Sequence, residues 1–109
     1  MSNKAKGSRR ERQARDLLLA TGHLVTKAGG SLGAFDLIAV PMGGDKMYLR
    51  LVQVKSNAWP RPAERTELER LARLLTKTVC PSVEIWRYDY RRGLRVRRWR
   101  DGHWEDEEP

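Results

Sequence analysis

Apolar and polar positions along the chain follow helical and strand periods in turn, and their order predicts an architecture. Ala14, Leu17 and Leu18 recur at helical spacing, which predicts a helix from Ser8 to about Thr21 with Gly22 placed to end it. Glu11 lies three residues before Ala14 and seven before Leu18, on or beside the face that turns inward. His23 to Lys27 is a short strand pattern, and Phe35 to Val40 is almost continuously apolar except at Asp36. After a turn over Pro41-Met42-Gly43-Gly44-Asp45, Met47 to Lys55 returns as a strand on which Leu49, Leu51, Gln53 and Lys55 share one face. Pro62 opens a second helix to about Thr78, with Leu68, Leu71, Leu74 and Leu75 expected on its buried side. Val83 to Tyr90 and Leu94 to Trp99 follow as strands joined through Arg91-Arg92-Gly93. The order αβββαββ predicts one α/β domain over residues 1–109, a mixed central β-sheet flanked by helices.

This order brings chemistry to one edge. Asp36 and the tripeptide Gln53-Val54-Lys55 both lie away from the hairpin turn, so pairing of their strands is expected to set them side by side. A carboxylate in an apolar strand needs a partner or a metal. Asp36, the Gln53 amide oxygen and the Val54 carbonyl suit a hard divalent cation, and Lys55 can contact phosphate, orient water or act as a base. Metal-assisted hydrolysis of a phosphodiester is the chemistry such a set would support. Glu11 has a second reading, because Ser8-x-x-Glu11 has the form of a capping box. The loop Ala28-Gly29-Gly30-Ser31-Leu32-Gly33 has little side-chain bulk and would let a backbone approach a ligand.

Charge narrows the partner. The formal net charge is +8, with a sequence pI of about 10.3, and arginine outnumbers lysine. Guanidinium forks match phosphate, which favours nucleic acid. Residues 1–7 form an expected basic arm, and Lys4, Lys6, Arg9, Arg10, Arg12 and Arg61 are candidate phosphate contacts. Residues 101–109 are expected to be an acidic flexible tail. Trp86, Tyr88 and the surrounding arginines would either stack bases or place the aromatics in a core or interface. A single Cys80 excludes an internal disulfide and a multi-cysteine zinc site, and His23 and His103 have no ligand-spaced partners. No apolar run reaches membrane-spanning length and the N-terminus is not signal-like, so a cytoplasmic protein without membrane contact is expected.

Together these motifs resemble a known family. Lys6-Gly7-Ser8 with Glu11, then Ala28-Gly29-Gly30-Ser31, Asp36-Leu37-Ile38-Ala39 and Val52-Gln53-Val54-Lys55, are similar to archaeal-type Holliday junction resolvases, which also occur in viruses and phages. These belong to the PD-(D/E)XK nucleases, with a restriction-endonuclease-like core. The resemblance spans roughly residues 4–88. It implies a homodimer that binds branched DNA and nicks four-way junctions in pairs with Mg2+ or Mn2+, without a small-molecule cofactor. By resemblance, Asp36 matches the metal-binding aspartate, Lys55 the catalytic lysine, Glu11 the first-helix glutamate and Ser31 the loop serine. Gln53 stands where the family normally has glutamate, a substitution also met in Mrr-type restriction enzymes, and Ser31 to Asp36 is one residue longer than usual. Two alternatives accompany this reading: a restriction or repair nuclease of the same fold acting on flaps or duplex, and a DNA-binding protein without catalysis.

Overall fold

A computed structural model describes residues 3–28, 34–43, 49–75 and 81–109, with the backbone alone for residues 3–8. Helix α1 spans Asn3–Ala20 and is followed by β1 (His23–Lys27), β2 (Leu37–Pro41) and β3 (Arg50–Ser56). Helix α2 (Pro62–Leu75) leads into β4 (Ser82–Asp89), β5 (Gly93–Arg100) and β6 (His103–Glu107). The strands form one six-stranded sheet in sequence order, antiparallel everywhere except where β3 pairs parallel with β4. A parallel pair needs a crossover, and α2 supplies it. The expected mixed α/β architecture is therefore present, with an additional strand at its end.

Each helix covers one face. Ala14 and Leu18 of α1 pack with Leu37, Ala39, Val52, Trp86 and Val96, while Leu68 and Ala72 of α2 pack with Leu51, Val83, Ile85 and Phe35 on the other side. Alternation along β3 thus sends Val52 to α1 and Leu51 to α2, and both are buried. Trp86 is wholly buried, which places it in the core. In α2 the inward stripe runs through Leu68, Leu71, Ala72 and Leu75, and Leu74, expected inside, is 51% exposed. The expected extension to Thr78, Cys80, the glycine loop over 29–33 and the turn from Gly44 lie outside the described residues. Among the described residues no helix is long and apolar enough to cross a membrane.

Both expected termini are corrected. Helix α1 begins at Asn3 and not at Ser8, so Ser8 lies inside the helix and not at its start. Lys4, Ala5 and Lys6 are good helix formers, and the segment read as an arm continues the helix. Gly22 ends α1 as expected, at φ 86°. The acidic end is not a free tail: it forms β6, whose Trp104 packs edge-on against Trp99 at 5.1 Å and donates to Glu69 at 3.0 Å. Its carboxylates answer the arginines of β5, with Glu107 3.1 Å from Arg98 and Asp106 3.3 Å from Arg97. The turn is Asp101-Gly102 at φ 48° and 88°, the left-handed pair that a two-residue hairpin needs. A Gly102→Val substitution is expected to lower stability by about 1–3 kcal/mol, because a β-branched residue is strained there. A thermal melt beside wild type checks this.

The end of the sheet at the start of β3 and β4 holds a buried ionic network. Glu84, 0% exposed, takes a two-pronged bond from Arg50 at 2.8 and 2.7 Å, with further bonds from the Ser82 hydroxyl and the Trp86 indole. His23, to which the sequence assigned no role, is buried against this network, 3.3 Å from Arg50 and 3.1 Å from the Leu18 carbonyl. Burial alone would raise the Glu84 carboxyl. The Arg50, Trp86 and Ser82 bonds outweigh it and hold the group below its usual value.

Candidate active site

β3 outruns β2, and Asp36 fills the place where β2 would have continued. The last ladder pairing is Leu37 with Val52, and beyond it the Asp36 amide donates to the Val52 carbonyl at 2.9 Å. The Asp36 carboxylate then accepts the Val54 amide at 2.8 Å. The N–H and C=O of one strand residue point to the same edge, so the Val54 carbonyl faces the Asp36 side as well. On the other flank the Ala28 amide donates to the Asp36 carbonyl at 3.0 Å, tying the residue to the end of β1. Asp36 is thus held from two strands, and the expected meeting of Asp36 with the Gln53-Val54-Lys55 segment is realised.

Glu11 arrives from α1. Its carboxyl group lies close enough to that of Asp36 to raise it, and Lys27 stands 4.0 Å from Glu11. Burial, reinforced by the Glu11 carboxyl beside it, pushes Asp36 up to about 6 against the pull of the Val54 amide and Lys55. Two carboxyl groups sharing a half-buried site resist ionising together, and a nearby cation relieves both. The capping-box alternative for Glu11 falls with the earlier helix start. Half of such a box occurs in α2, where Glu64 accepts the Arg61 amide at 3.4 Å.

Gln53 is not a solvated strand end. It is 5% exposed, and its Oε1 is buried without a hydrogen-bond partner among the described residues. An acceptor left in that state costs about 1–3 kcal/mol, so a donor or a cation is the expected complement. Asp36, Glu11, the Gln53 Oε1 and the Val54 carbonyl are all oxygens, which suits a hard ion such as magnesium or manganese. Among the described residues no three His, Cys, Asp or Glu side chains gather as a metal site, so the donor set depends on the amide and the backbone.

Lys55 donates to Glu64 in the first turn of α2 at 2.9 Å. The Lys55 bond contributes most to holding the Glu64 carboxyl below its ordinary value, against a smaller upward push from burial. Sequence reasoning missed Glu64, and no local motif marks it. Only the parallel crossover brings the start of α2 over the end of β3.

Of the expected DNA contacts, Arg9 and Arg12 are exposed on α1, and Arg12 lines a small cleft with Glu11, Arg15 and Lys27. Arg10 is half-buried over the Tyr88 ring, 5.6 Å from its centre. Arg61 is exposed just before α2. Ser31 and the side chains of Lys4 and Lys6 lie outside the described residues.

Comparison with solved structures places this fold. The chain is similar to Hjc, a Holliday junction resolvase from the archaeal hyperthermophile Archaeoglobus fulgidus, with a TM-score of 0.60 and 19% identity. The match covers 81% of this chain and 72% of that one. At this identity the likeness establishes the fold, which is the restriction-endonuclease-like core expected from the motifs. No protein-family model and no curated protein matches the sequence.

Proposed function

We propose that the chain is a metal-dependent, structure-selective DNA endonuclease that resolves four-way junctions by paired nicks, acting as a homodimer in the cytoplasm. The observation that carries this reading is the end of β3, where the raised Asp36 carboxylate accepts the Val54 amide at 2.8 Å and the adjoining Gln53 has a buried oxygen without a partner among the described residues. The net charge of +8 and a fold shared with a junction resolvase favour branched DNA as the substrate.

Asp36, Gln53 and the Val54 carbonyl would hold magnesium or manganese, with Glu11 contributing through water. When bound, the ion supplies charge to the phosphoryl oxygen and makes a coordinated water a better nucleophile. Lys55, steadied by Glu64, is placed as a hydrogen-bond donor to the scissile phosphate or the attacking water. Arg9, Arg12 and Arg61 would hold flanking phosphates, joined by Lys4, Lys6 and Ser31. Two sites related by a dimer axis would cut opposed strands of one junction.

The test is cleavage of a labelled four-way junction in Mg2+ and in Mn2+, beside duplex and flap controls and an Asp36→Asn control. Paired nicks in the junction alone support the proposal. Cutting confined to flap or duplex would retain the nuclease and discard junction resolution. The neutral amide at residue 53 favours one rival, a DNA-binding protein without catalysis, which predicts junction binding with no cutting in either metal. A Gln53→Glu substitution adds a charged ligand and is expected to lower the Mg2+ concentration for half-maximal cleavage by about tenfold, or 1.4 kcal/mol. A metal titration of the initial rate measures it.

A further inference from the structure

The sheet face under α2 carries a row of cations that starts at Lys55 and continues through three arginines to which no role is given above. Lys55 is paired with Arg87 on β4, and Arg87 with Arg95 on β5. Paired residues on neighbouring strands stand about 5 Å apart, so the row runs about 10 Å away from the candidate active site. Arg97 follows two residues on, on the same face. Trp59, from the connection between β3 and α2, lies among these arginines. Its ring centre is 4.0 Å from the Arg97 guanidinium, 5.1 Å from that of Arg95 and 5.2 Å from that of Arg87.

Three like charges around one indole repel one another, and the acidic groups facing them leave the Arg95 and Arg97 side chains 47% and 37% exposed. Asp89, 7% exposed, anchors Arg87 through Nε at 2.7 Å and stands 3.9 Å from Nη1 of Arg95, and Arg87 also donates through Nη2 to the Asn57 carbonyl at 3.4 Å. Asp106 is 89% exposed and meets Arg97 through Nε, the guanidinium nitrogen nearest the chain, at 3.3 Å. Glu64 engages Lys55 alone among the four. The exposed Arg97–Asp106 pair yields to a stronger anion, and a guanidinium fork matches a phosphate. The Trp59 ring orders the long arginine side chains before any ligand arrives, which reduces the entropy lost on binding.

We propose that Lys55, Arg87, Arg95 and Arg97, propped on Trp59, form a track for the phosphodiester backbone of the cut strand, holding the phosphates on one side of the scissile one. The track rests on the reading of the neighbouring site as a nuclease centre. It assigns DNA contact to the β4–β5 hairpin and gives the strand one direction of exit.

The test is fluorescence anisotropy of a labelled four-way junction in Ca2+ between 50 and 200 mM salt. The expected result for Arg95→Gln with Arg97→Gln is an affinity loss of about tenfold or more and a log–log salt slope shallower by about 2. Arg95→Lys with Arg97→Lys should keep the slope, and removing the same charge elsewhere, as Arg70→Gln with Arg100→Gln, should cost far less. Wild-type affinity and slope in the Arg95/Arg97 glutamine variant would overturn the track and leave the nuclease reading standing. A wild-type protein that binds no DNA would overturn both. If the glutamine variant fails to fold, neutral methylphosphonates on either side of the cut replace it, using wild-type protein. Weakened binding on one side only supports the track, and equal effects on both sides overturn it.

Discussion

Asp36→Asn is expected to reduce junction cleavage by about a thousandfold and, in the absence of metal at pH 7.5, to make the protein more stable. The first effect is that of removing the charged ligand of the proposed ion. The second follows from the carboxyl being pushed up to about 6 from 3.8, chiefly by burial. A carboxyl raised in the folded state keeps its proton there while the unfolded chain has released it. Stability therefore falls as pH rises from about 4 to 6, and the full penalty persists above that window. Allowing for partial exposure, the ionised group costs about 1–2 kcal/mol at neutral pH. Asparagine keeps an oxygen for the Val54 amide without the charge. Its advantage should vanish near pH 4 and should be offset in wild type by added Mg2+. Thermal melts across pH 4–8, with chelator and with Mg2+, measure both effects. An unchanged melting temperature at pH 7.5, or a wild type indifferent to Mg2+, would remove the account of Asp36 as a carboxylate in need of a cation.

Glu84→Ala is expected to be the most damaging single change to the fold. It deprives Arg50 of both its short bonds in the interior, and removing one partner of a buried pair costs about 3–5 kcal/mol. In a domain of this size that lowers the melting temperature by about 12–20 °C. Replacing both partners, as Arg50→Met with Glu84→Leu, should recover most of the loss, because no charge is then left buried alone. The Glu84 carboxyl is held below its ordinary value. Its contribution is therefore complete above the unfolded value of 4.5 and lost as pH falls through the lower folded value. An acid titration of the wild-type fold, repeated on the double variant, isolates it.

Much of the architecture was legible because periodicity reports burial directly. Leu18, Leu51 and Leu68 occupy the faces their spacing assigns. Gly22 stops α1 because it can take the left-handed conformation required there. The hairpin rule alone placed Asp36 beside Val54. Where the reading went astray, charge had overridden pattern. Asp101-Gly102 is a strong hairpin signal, yet the carboxylates beyond it suggested a solvated tail, when they are the partners of Arg97, Arg98 and Arg100.

Local sequence by itself determined the elements, most of their order in the fold and the residue types that meet at the end of β3, since these depend on spacing along a regular backbone. Contacts between distant segments were decided only by tertiary structure. The crossover of α2 laid Glu64 on Lys55, the parallel pairing of β3 with β4 aligned Lys55 with Arg87, and the closing of the sheet around Arg50 and Glu84 buried His23. The state of Gln53 belongs to the same class. An amide reads as polar in any sequence, and only packing on both sides of the sheet leaves its oxygen buried without a partner among the described residues.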